Sequence, residues 1–480
     1  MDNILTAIKS VFDNLGATVL LPVIIFFLAV ILGTKPGRAF RSAVTIGIAF
    51  IGINLVINLM WGTLTEVGQA MVTNTGLERN VIDVGWPAAA AIAFSTQVGL
   101  WVIPIAILVN VVLLLLRLTK TLNIDVWNFW HFAFIGSFVA IASNSFTLGL
   151  FAAAVAAAWA LFFGDWVAKA IQHFYGLPGI SIPHMTTGPG VPFAVGVNWV
   201  LERIPGVNKV KWDPDNIQRR WGIFGDPIIL GLFIGLGLGI LAFYNAGSFM
   251  DILVKVLQTA MNLAAVMLLL PRMVQILMEG LIPISEAARD FLHRRASDRE
   301  IYIGLDSAIL IGHPAAISTA LLLVPIAILM SLILPGNQVI LFADLAVIPF
   351  VVAGFAPIMR GNIFRMVIAG IVVLGLGFYI GTALAPAMTA AAAQANFTMP
   401  EGAAQIISIA DGFLWPPFLF HLMGRTMGWI GIGALAVLVL VLMFLFRRNP
   451  GPWERLAGAP RDGEDADLSV QPDVRMAPGD

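Results

Sequence analysis

The stretch IYIGLDSAILIGHPAAISTALLLVP, residues 301–325, places an aspartate and a histidine inside a long apolar run. In a soluble protein, Asp306 and His313 would read as partnered core residues. In a bilayer such groups are expensive, and they usually mark a functional site. The solvent around this stretch therefore decides how it is interpreted.

The composition of the chain is that of a polytopic membrane protein. Its 480 residues are 59% hydrophobic and 11% charged, with a mean hydropathy of +0.90, whereas a soluble domain carries about a quarter charged residues. The net charge of −1 argues against nucleic acid as a partner. The chain has no cysteine, no Walker A pattern and no histidine spacing typical of metal sites, so we expect no metal and no cofactor.

Apolar windows of about 20 residues predict an all-α integral membrane fold with about eleven transmembrane helices. The predicted spans are residues 17–34, 42–60, 97–116, 129–143, 146–164, 228–246, 253–271, 315–334, 340–358, 363–384 and 427–446. Basic residues cluster in the loops of one side, which places the N-terminus outside and the C-terminus inside. We expect residues 1–450 to form the transmembrane domain and residues 451–480 to form a disordered cytoplasmic tail.

Four apolar segments are broken by Gly, Pro and polar residues and do not fit simple spans. They are residues 81–99, 175–197, 303–314 and 407–424. Irregular backbone at membrane depth is tolerated only where protein or a wet cavity surrounds it, and transporters use such breaks to build substrate sites. We expect at least two of the four to be re-entrant hairpins; the alternative is an apolar loop outside the membrane.

Polar side chains in these segments are candidate ligands for a small polar solute. A helix over residues 305–313 would put Asp306 and His313 on one face about 10 Å apart, although Asp306 could instead cap a hairpin end. His184 and Thr186 offer donors and acceptors that suit hydroxyl groups, although His184 could instead bond a hairpin carbonyl. The further candidates are Asp83, Trp86, Ser95, Gln97, His131, Asn144 and Asp344.

Several unusual strings resemble a known family. They include DVGWP (83–87), NIDVWNFWH (123–131), IPH (182–184), ERIPGVN (202–208), IGLD (303–306), LIGH (310–313) and RGNIFR (360–365). In order and content they resemble the membrane-embedded IIC component of bacterial phosphoenolpyruvate-dependent phosphotransferase systems. The ascorbate–galactitol superfamily, and its galactitol branch most of all, is the best match.

The resemblance implies a homodimeric permease of the bacterial cytoplasmic membrane. Each protomer would contain a V-motif scaffold and a mobile core with two re-entrant hairpins, and the core would carry galactitol or a related polyol across the membrane like an elevator. The chain would not be an enzyme by itself. A separate IIB subunit would receive a phosphoryl group from IIA, carry it on a cysteine and transfer it to the polyol. This chain has no cysteine and so would need that partner. We expect IIB to dock on the basic segments at Arg219, Arg220, Arg294 and Arg295.

Two other functions remain open from the residues. An ion- or proton-coupled secondary transporter of similar shape would use Asp306, Asp344 or His184 to bind protons. An intramembrane enzyme is disfavoured because the sequence shows no nucleophile–base spacing.

Overall fold

The computed structural model describes residues 22–460 except positions 24, 28, 32, 76–79, 211, 213–226, 296–299, 342 and 401–402. Arg219 and Arg220, and the side chains of Arg294 and Arg295, lie outside the described residues. In the described part, eight helices are long and apolar enough to cross a membrane. They are Pro36–Asn74, Gln97–Leu115, Val126–Ser143, Phe146–Tyr175, Phe249–Leu270, Pro314–Ile333, Ile363–Gln394 and Trp415–Arg448.

The helices and strands are numbered along the described chain. The helices are α1 (Pro36–Thr75), α2 (Trp86–Ser95), α3 (Gln97–Leu115), α4 (Trp130–Ser143), α5 (Phe146–Tyr175), α6 (Val191–Leu201), α7 (Pro227–Phe243), α8 (Phe249–Arg295), α9 (Pro314–Ile333), α10 (Ile348–Ala353), α11 (Phe355–Ile358), α12 (Ile363–Gln394), α13 (Ile409–Gly412), α14 (Trp415–Arg448) and α15 (Pro450–Leu456). The strands are β1 (Val81–Asp83), β2 (Thr121–Asn123), β3 (Ile180–Ser181), β4 (Tyr302–Gly304), β5 (Val339–Ile340) and β6 (Gln405–Ile407).

The six strands form two small parallel sheets, and both sheets join segments that are far apart in the sequence. One has the order β5-β1-β6 and the other the order β2-β4-β3. The 20 residues of α9 connect β4 to β5 and measure about 30 Å at 1.5 Å per residue. The two sheets therefore lie at opposite ends of a membrane-length helix. Each of the four predicted broken segments begins at or contains one of these strands.

The long helices α1, α7 and α8 pack mainly against one another. Glycines of α7 make this packing close: a Cβ on Gly235 would lie 2.6 Å from the Cα of Ala260, and one on Gly239 would lie 2.9 Å from the Cα of Val256. Small residues at such positions let helix backbones approach each other in a membrane. The Gly-rich run in this span is thus a packing surface.

The span predicted at residues 340–358 is not one helix. The chain leaves β5, forms a 3-10 turn over Leu345–Val347 and then passes through the short helices α10 and α11. Pro349 lies in the first turn of α10, where the missing N–H of proline costs nothing, so a helix begins there and does not run through. The predicted span 228–246 is the 17-residue α7, and the start of span 17–34 lies outside the described residues.

The region predicted as a tail begins with an ordered element. After α14 ends at Arg448, α15 packs on α5: the indole Nε1 of Trp166 donates to the carbonyl of Trp453 at 2.7 Å, and Lys169 lies 3.2 Å from Glu454. Described structure therefore continues to residue 460, beyond the predicted boundary at 450, and residues 461–480 lie outside the described residues.

Candidate functional site

The candidate site lies where the strands of sheet β2-β4-β3 end. Asn123 pairs with Gly304, and Gly304 also pairs with Ser181, so the residues that follow the three strands emerge side by side. Those residues include Asp125, His184 and Asp306. The parallel pairing therefore brings two carboxylates and an imidazole together from three distant segments.

His184 and Asp306 face each other across this edge. Nε2 of His184 lies 3.6 Å from Oδ1 of Asp306, and the imidazole is buried while a quarter of the Asp306 side chain is exposed. Nδ1 of His184 accepts a hydrogen bond from the backbone N–H of Thr186 at 3.2 Å, so in the neutral ring the hydrogen is on Nε2 and points toward the carboxylate. Asp306 also accepts from the N–H of Ala308 at 2.9 Å. The aspartate thus both caps the turn and faces the histidine.

A second histidine joins this pair. The ring centroid of His131 lies 4.7 Å from that of His184. Nδ1 of His131 is 2.7 Å from Oδ2 of Asp411, and both side chains are buried, with 2% and 0% of their surface exposed. Asp411 belongs to α13, which follows strand β6 of the other sheet. The His131–Asp411 contact therefore joins segments that start from opposite ends of the membrane-length helices.

Three side chains at this edge are close enough together to hold a metal ion, which leaves the expectation of no metal site untested. Asp125, His184 and Asp306 each offer a ligand atom, and these atoms lie within 4.8 Å of one another. Asp125 also accepts a hydrogen bond from the amide of Asn128 at 2.8 Å. The sequence analysis selected His184 and Asp306 but not the group of three, because the three residues are far apart along the chain and only the parallel strand pairing brings them together. An arrangement of this kind can bind either the hydroxyl groups of a solute or a cation.

Asp83 and Asp344 occupy the corresponding edge of the other sheet, and backbone and hydroxyl donors surround them. Asp83 accepts from the N–H groups of Gly85 at 3.1 Å and of Asp344 at 2.7 Å. Asp344 accepts from the N–H of Trp86 at 2.6 Å through one oxygen, and from the hydroxyl of Ser408 at 2.5 Å through the other. These carboxylates hold the ends of three strands together.

His313 lies apart from the His184 group. Residues 305–313 do not form one helix: Ser307–Ile309 form a 3-10 turn, and α9 begins at Pro314. His313 and Asp306 therefore do not share a helix face as expected. Nδ1 of His313 accepts from the N–H of Ala315 at 3.2 Å, and its ring packs against Phe174 at 4.7 Å. His313 caps α9.

The remaining sequence candidates are dispersed. The ring of Trp86 packs against Trp61 of α1 at 6.2 Å. Ser95 and Gln97 are exposed at the break between α2 and α3. Asn144 is also exposed and ends α4 with a φ of 52°, a left-handed conformation that asparagine tolerates well. The structure brings none of these four into contact with His184.

Thr186 links the segments that follow β3 and β6. Its hydroxyl donates to the carbonyl of Ala410 at 3.2 Å, next to Asp411. Trp415, at the start of α14, donates from Nε1 to the carbonyl of Pro189 at 2.9 Å. The segment after β3 therefore contacts the segment after β6 directly, and the candidate site lies at this junction.

Two functional candidates were missed by the sequence analysis, Asp125 and Asp411. A signal for the first was present: NIDVWNFWH (123–131) and GLDSAILIGH (304–313) both place an aspartate two residues after a short strand and a histidine soon afterwards. Reading these strings as a repeat would have paired Asp125 with Asp306. Asp411 follows a strand of the other sheet, and we find no comparable signal for its contact with His131.

Comparison with known proteins identifies the family. The family model described as the sugar-specific permease component of the phosphotransferase system matches residues 10–402. The galactitol-specific EIIC components of Escherichia coli strains K12 and O157:H7 are each 43% identical over 369 residues, which is 77% of this chain and 80% of the relative. The described part of the chain has eight membrane-length apolar helices, and the chain belongs to this phosphotransferase-system permease family and is an integral membrane transport subunit.

Proposed function

We propose that this permease subunit binds a neutral polyol, galactitol or a close relative, between the segments that follow β3, β4 and β6. The observation that carries the proposal is the cluster of His131, His184, Asp125 and Asp306. It is a concentrated group of hydrogen-bonding side chains in a protein of apolar, membrane-length helices. Polar groups in such surroundings usually mark a substrate pathway.

The chemistry of the cluster suits hydroxyl groups. Each hydroxyl of a polyol can donate one hydrogen bond and accept others, and the cluster presents carboxylates as acceptors and an imidazole N–H as a donor. In the described part of the chain, no Lys or Arg is a hydrogen-bond or ion-pair partner of these four side chains. The site therefore favours an uncharged solute over a phosphate or carboxylate.

Among the other sequence candidates, we propose one further site residue and three residues that support the surrounding structure. Thr186 belongs to the site through its contacts with His184 and Ala410. Asp83 and Asp344 support the hairpin ends, since their carboxylates already accept several hydrogen bonds. His313 supports the start of α9.

Transport would be coupled to phosphorylation. In this proposal a separate IIB subunit, recharged by IIA, phosphorylates the polyol at the cytoplasmic side, with Arg219, Arg220, Arg294 and Arg295 as its docking residues.

The helices α1, α7 and α8, which pack against one another, act as the scaffold of a homodimer, and the rest of the protein moves as an elevator. The N-terminus lies outside and the C-terminus inside. The printed substrate of the 43% identical relatives supports galactitol as the first solute to test.

The test is uptake of labelled galactitol into right-side-out vesicles that contain this protein. We expect uptake to require phosphoenolpyruvate and the cognate IIA and IIB proteins, and the internal product to be a polyol phosphate. The matched control is a vesicle with the same proteins but no phosphoenolpyruvate. Concentrative uptake of unmodified galactitol without phosphoenolpyruvate or IIB, abolished by an uncoupler, would contradict the proposal.

A secondary transporter is the second candidate, and one observation favours it. Asp125, His184 and Asp306 place three ligand-type atoms within 4.8 Å of one another, an arrangement that could hold a coupling cation. Galactitol binding measured by calorimetry with and without sodium or magnesium separates the two functions. An affinity that depends on the cation at constant ionic strength supports coupling; an unchanged affinity supports the phosphotransferase permease.

A further inference from the structure

The His131–Asp411 contact has an unusual pattern of satisfied and unsatisfied atoms. Nδ1 of His131 and Oδ2 of Asp411 lie 2.7 Å apart. The other polar atom of each side chain, Nε2 of His131 and Oδ1 of Asp411, is buried and has no hydrogen-bond partner in the described part of the chain. Leaving a buried polar atom unpaired is costly. In a transport protein such an atom can be satisfied by a ligand, and Nε2 belongs to the ring that lies beside His184.

The imidazole ring of His131 is part of the candidate site. Its ring lies 4.7 Å from that of His184, which in turn lies 3.6 Å from Asp306. The ring of His131 also packs against the ring of Trp130, with 4.0 Å between the ring centroids. Because Nδ1 is occupied by Asp411, Nε2 is the atom of His131 that remains for a solute.

Asp411 comes from a different structural unit, and local contacts hold it firmly. The N–H of Gly412 donates to the carbonyl of Ser408 at 2.8 Å, and the N–H of Leu414 donates to the carbonyl of Asp411 at 3.0 Å. The neighbouring carbonyl of Ala410 accepts from Thr186 at 3.2 Å. The carboxylate is therefore presented from a short, well-bonded turn after β6, while His131 is carried by α4.

We propose that Asp411 is a positioning residue for solute binding: it orients the imidazole of His131 so that Nε2 hydrogen-bonds a hydroxyl group of the polyol. A partner on one ring nitrogen commonly fixes the orientation and tautomer of a functional histidine. Asp411 does not contact the solute. The inference rests on the proposed polyol site and adds a residue to it that reaches the solute only through His131.

A double-mutant cycle on galactitol affinity tests the inference. Calorimetry on the purified full-length protein would compare wild type, His131→Ala, Asp411→Ala and the double variant. We expect each single variant to weaken binding about tenfold or more, the effect of losing one buried hydrogen bond. We expect the double variant to bind no more weakly than His131→Ala, because Asp411 acts only through the ring.

The possible outcomes separate the two proposals. If the losses of the single variants multiply in the double variant, Asp411 acts independently of His131 and the inference is overturned. If His131→Ala leaves galactitol affinity unchanged, the polyol site itself is wrong. Asp411→Leu, which fills a similar volume without a hydrogen bond, replaces the alanine variant in the cycle if that variant does not fold. Asp251→Asn is the control: Asp251 is exposed near the start of α8, and the change should leave galactitol affinity unaltered both in wild type and in His131→Ala.

Discussion

Nε2 of His184 lies 3.6 Å from Oδ1 of Asp306, although the two residues follow different strands, β3 and β4. The contact follows from the parallel pairing of Ser181 with Gly304, which places the ends of β3 and β4 side by side. A two-residue strand thus determines which polar groups meet inside the membrane domain.

Asp306→Asn should separate solute binding from capping. Asparagine caps a helical turn about as well as aspartate, so the variant should fold normally, whereas a charged acceptor facing His184 is lost. We expect galactitol affinity to fall about tenfold, measured by calorimetry on the purified protein. Asp251→Asn, an exposed change near the start of α8, is the control and should bind as wild type. Normal binding by Asp306→Asn would remove Asp306 from the site.

Asp344→Asn should reduce stability. Both oxygens of Asp344 accept hydrogen bonds, from the N–H of Trp86 on one side and from Ser408 on the other. An amide would direct its NH₂ group toward one of these donors and remove the charge, so we expect a loss of about 2 kcal/mol in the free energy of unfolding. Denaturant unfolding in detergent measures it. Glu300→Gln, which breaks an exposed ion pair with Lys120, should cost less than about 1 kcal/mol; equal losses in both variants would contradict the prediction.

Gly235→Val should disrupt the packing of α7 on α8. The new Cβ would lie 2.6 Å from the Cα of Ala260, and a backbone atom cannot move aside as a side chain can. We expect a destabilisation of about 1–3 kcal/mol, detected as a lower unfolding temperature. Gly237→Val in the same helix, where nothing lies within 4 Å, controls for the helix propensity of valine. The prediction fails if both variants unfold at the same temperature.

Truncation should locate the end of the folded domain. A chain ending at residue 460 keeps α15, the Trp166–Trp453 hydrogen bond and the Lys169–Glu454 ion pair, and we expect its unfolding temperature to equal that of the full chain. A chain ending at residue 448 loses all three. It should be less stable by at least about 1 kcal/mol, the contribution of one buried hydrogen bond. Equal stability of the two truncations would show that α15 contributes nothing.

Much of the fold follows from local pattern, because lipid demands long apolar helices and the sequence contains them. The predicted spans 97–116 and 315–334 agree with α3 and α9 within one residue at each end. The span 340–358 was wrong because apolar composition alone does not tell a continuous helix from a broken one. Pro349 and the buried, hydrogen-bonded Asp344 decide that case.

The candidate site was only partly predictable. His184, Asp306, Thr186 and His131 were selected because each is a polar residue in an apolar run, and the structure brings them together. The same criterion also selected Gln97 and Asn144, which are exposed elsewhere. A polar residue in a membrane segment signals that a partner exists, but the signal does not say whether that partner is a solute, a backbone N–H or a neighbouring side chain.

The sequence by itself determined the solvent of this protein, the approximate positions of its long helices and the segments in which helices break, since these depend on local hydrophobicity and on Gly and Pro. Only the tertiary structure decided which broken segments meet. His131 and Asp411 are 280 residues apart in the sequence, and no local pattern encodes their contact. It arises because three strands pair in parallel at each end of the membrane-length helices, and the turns that follow them converge between the two sheets.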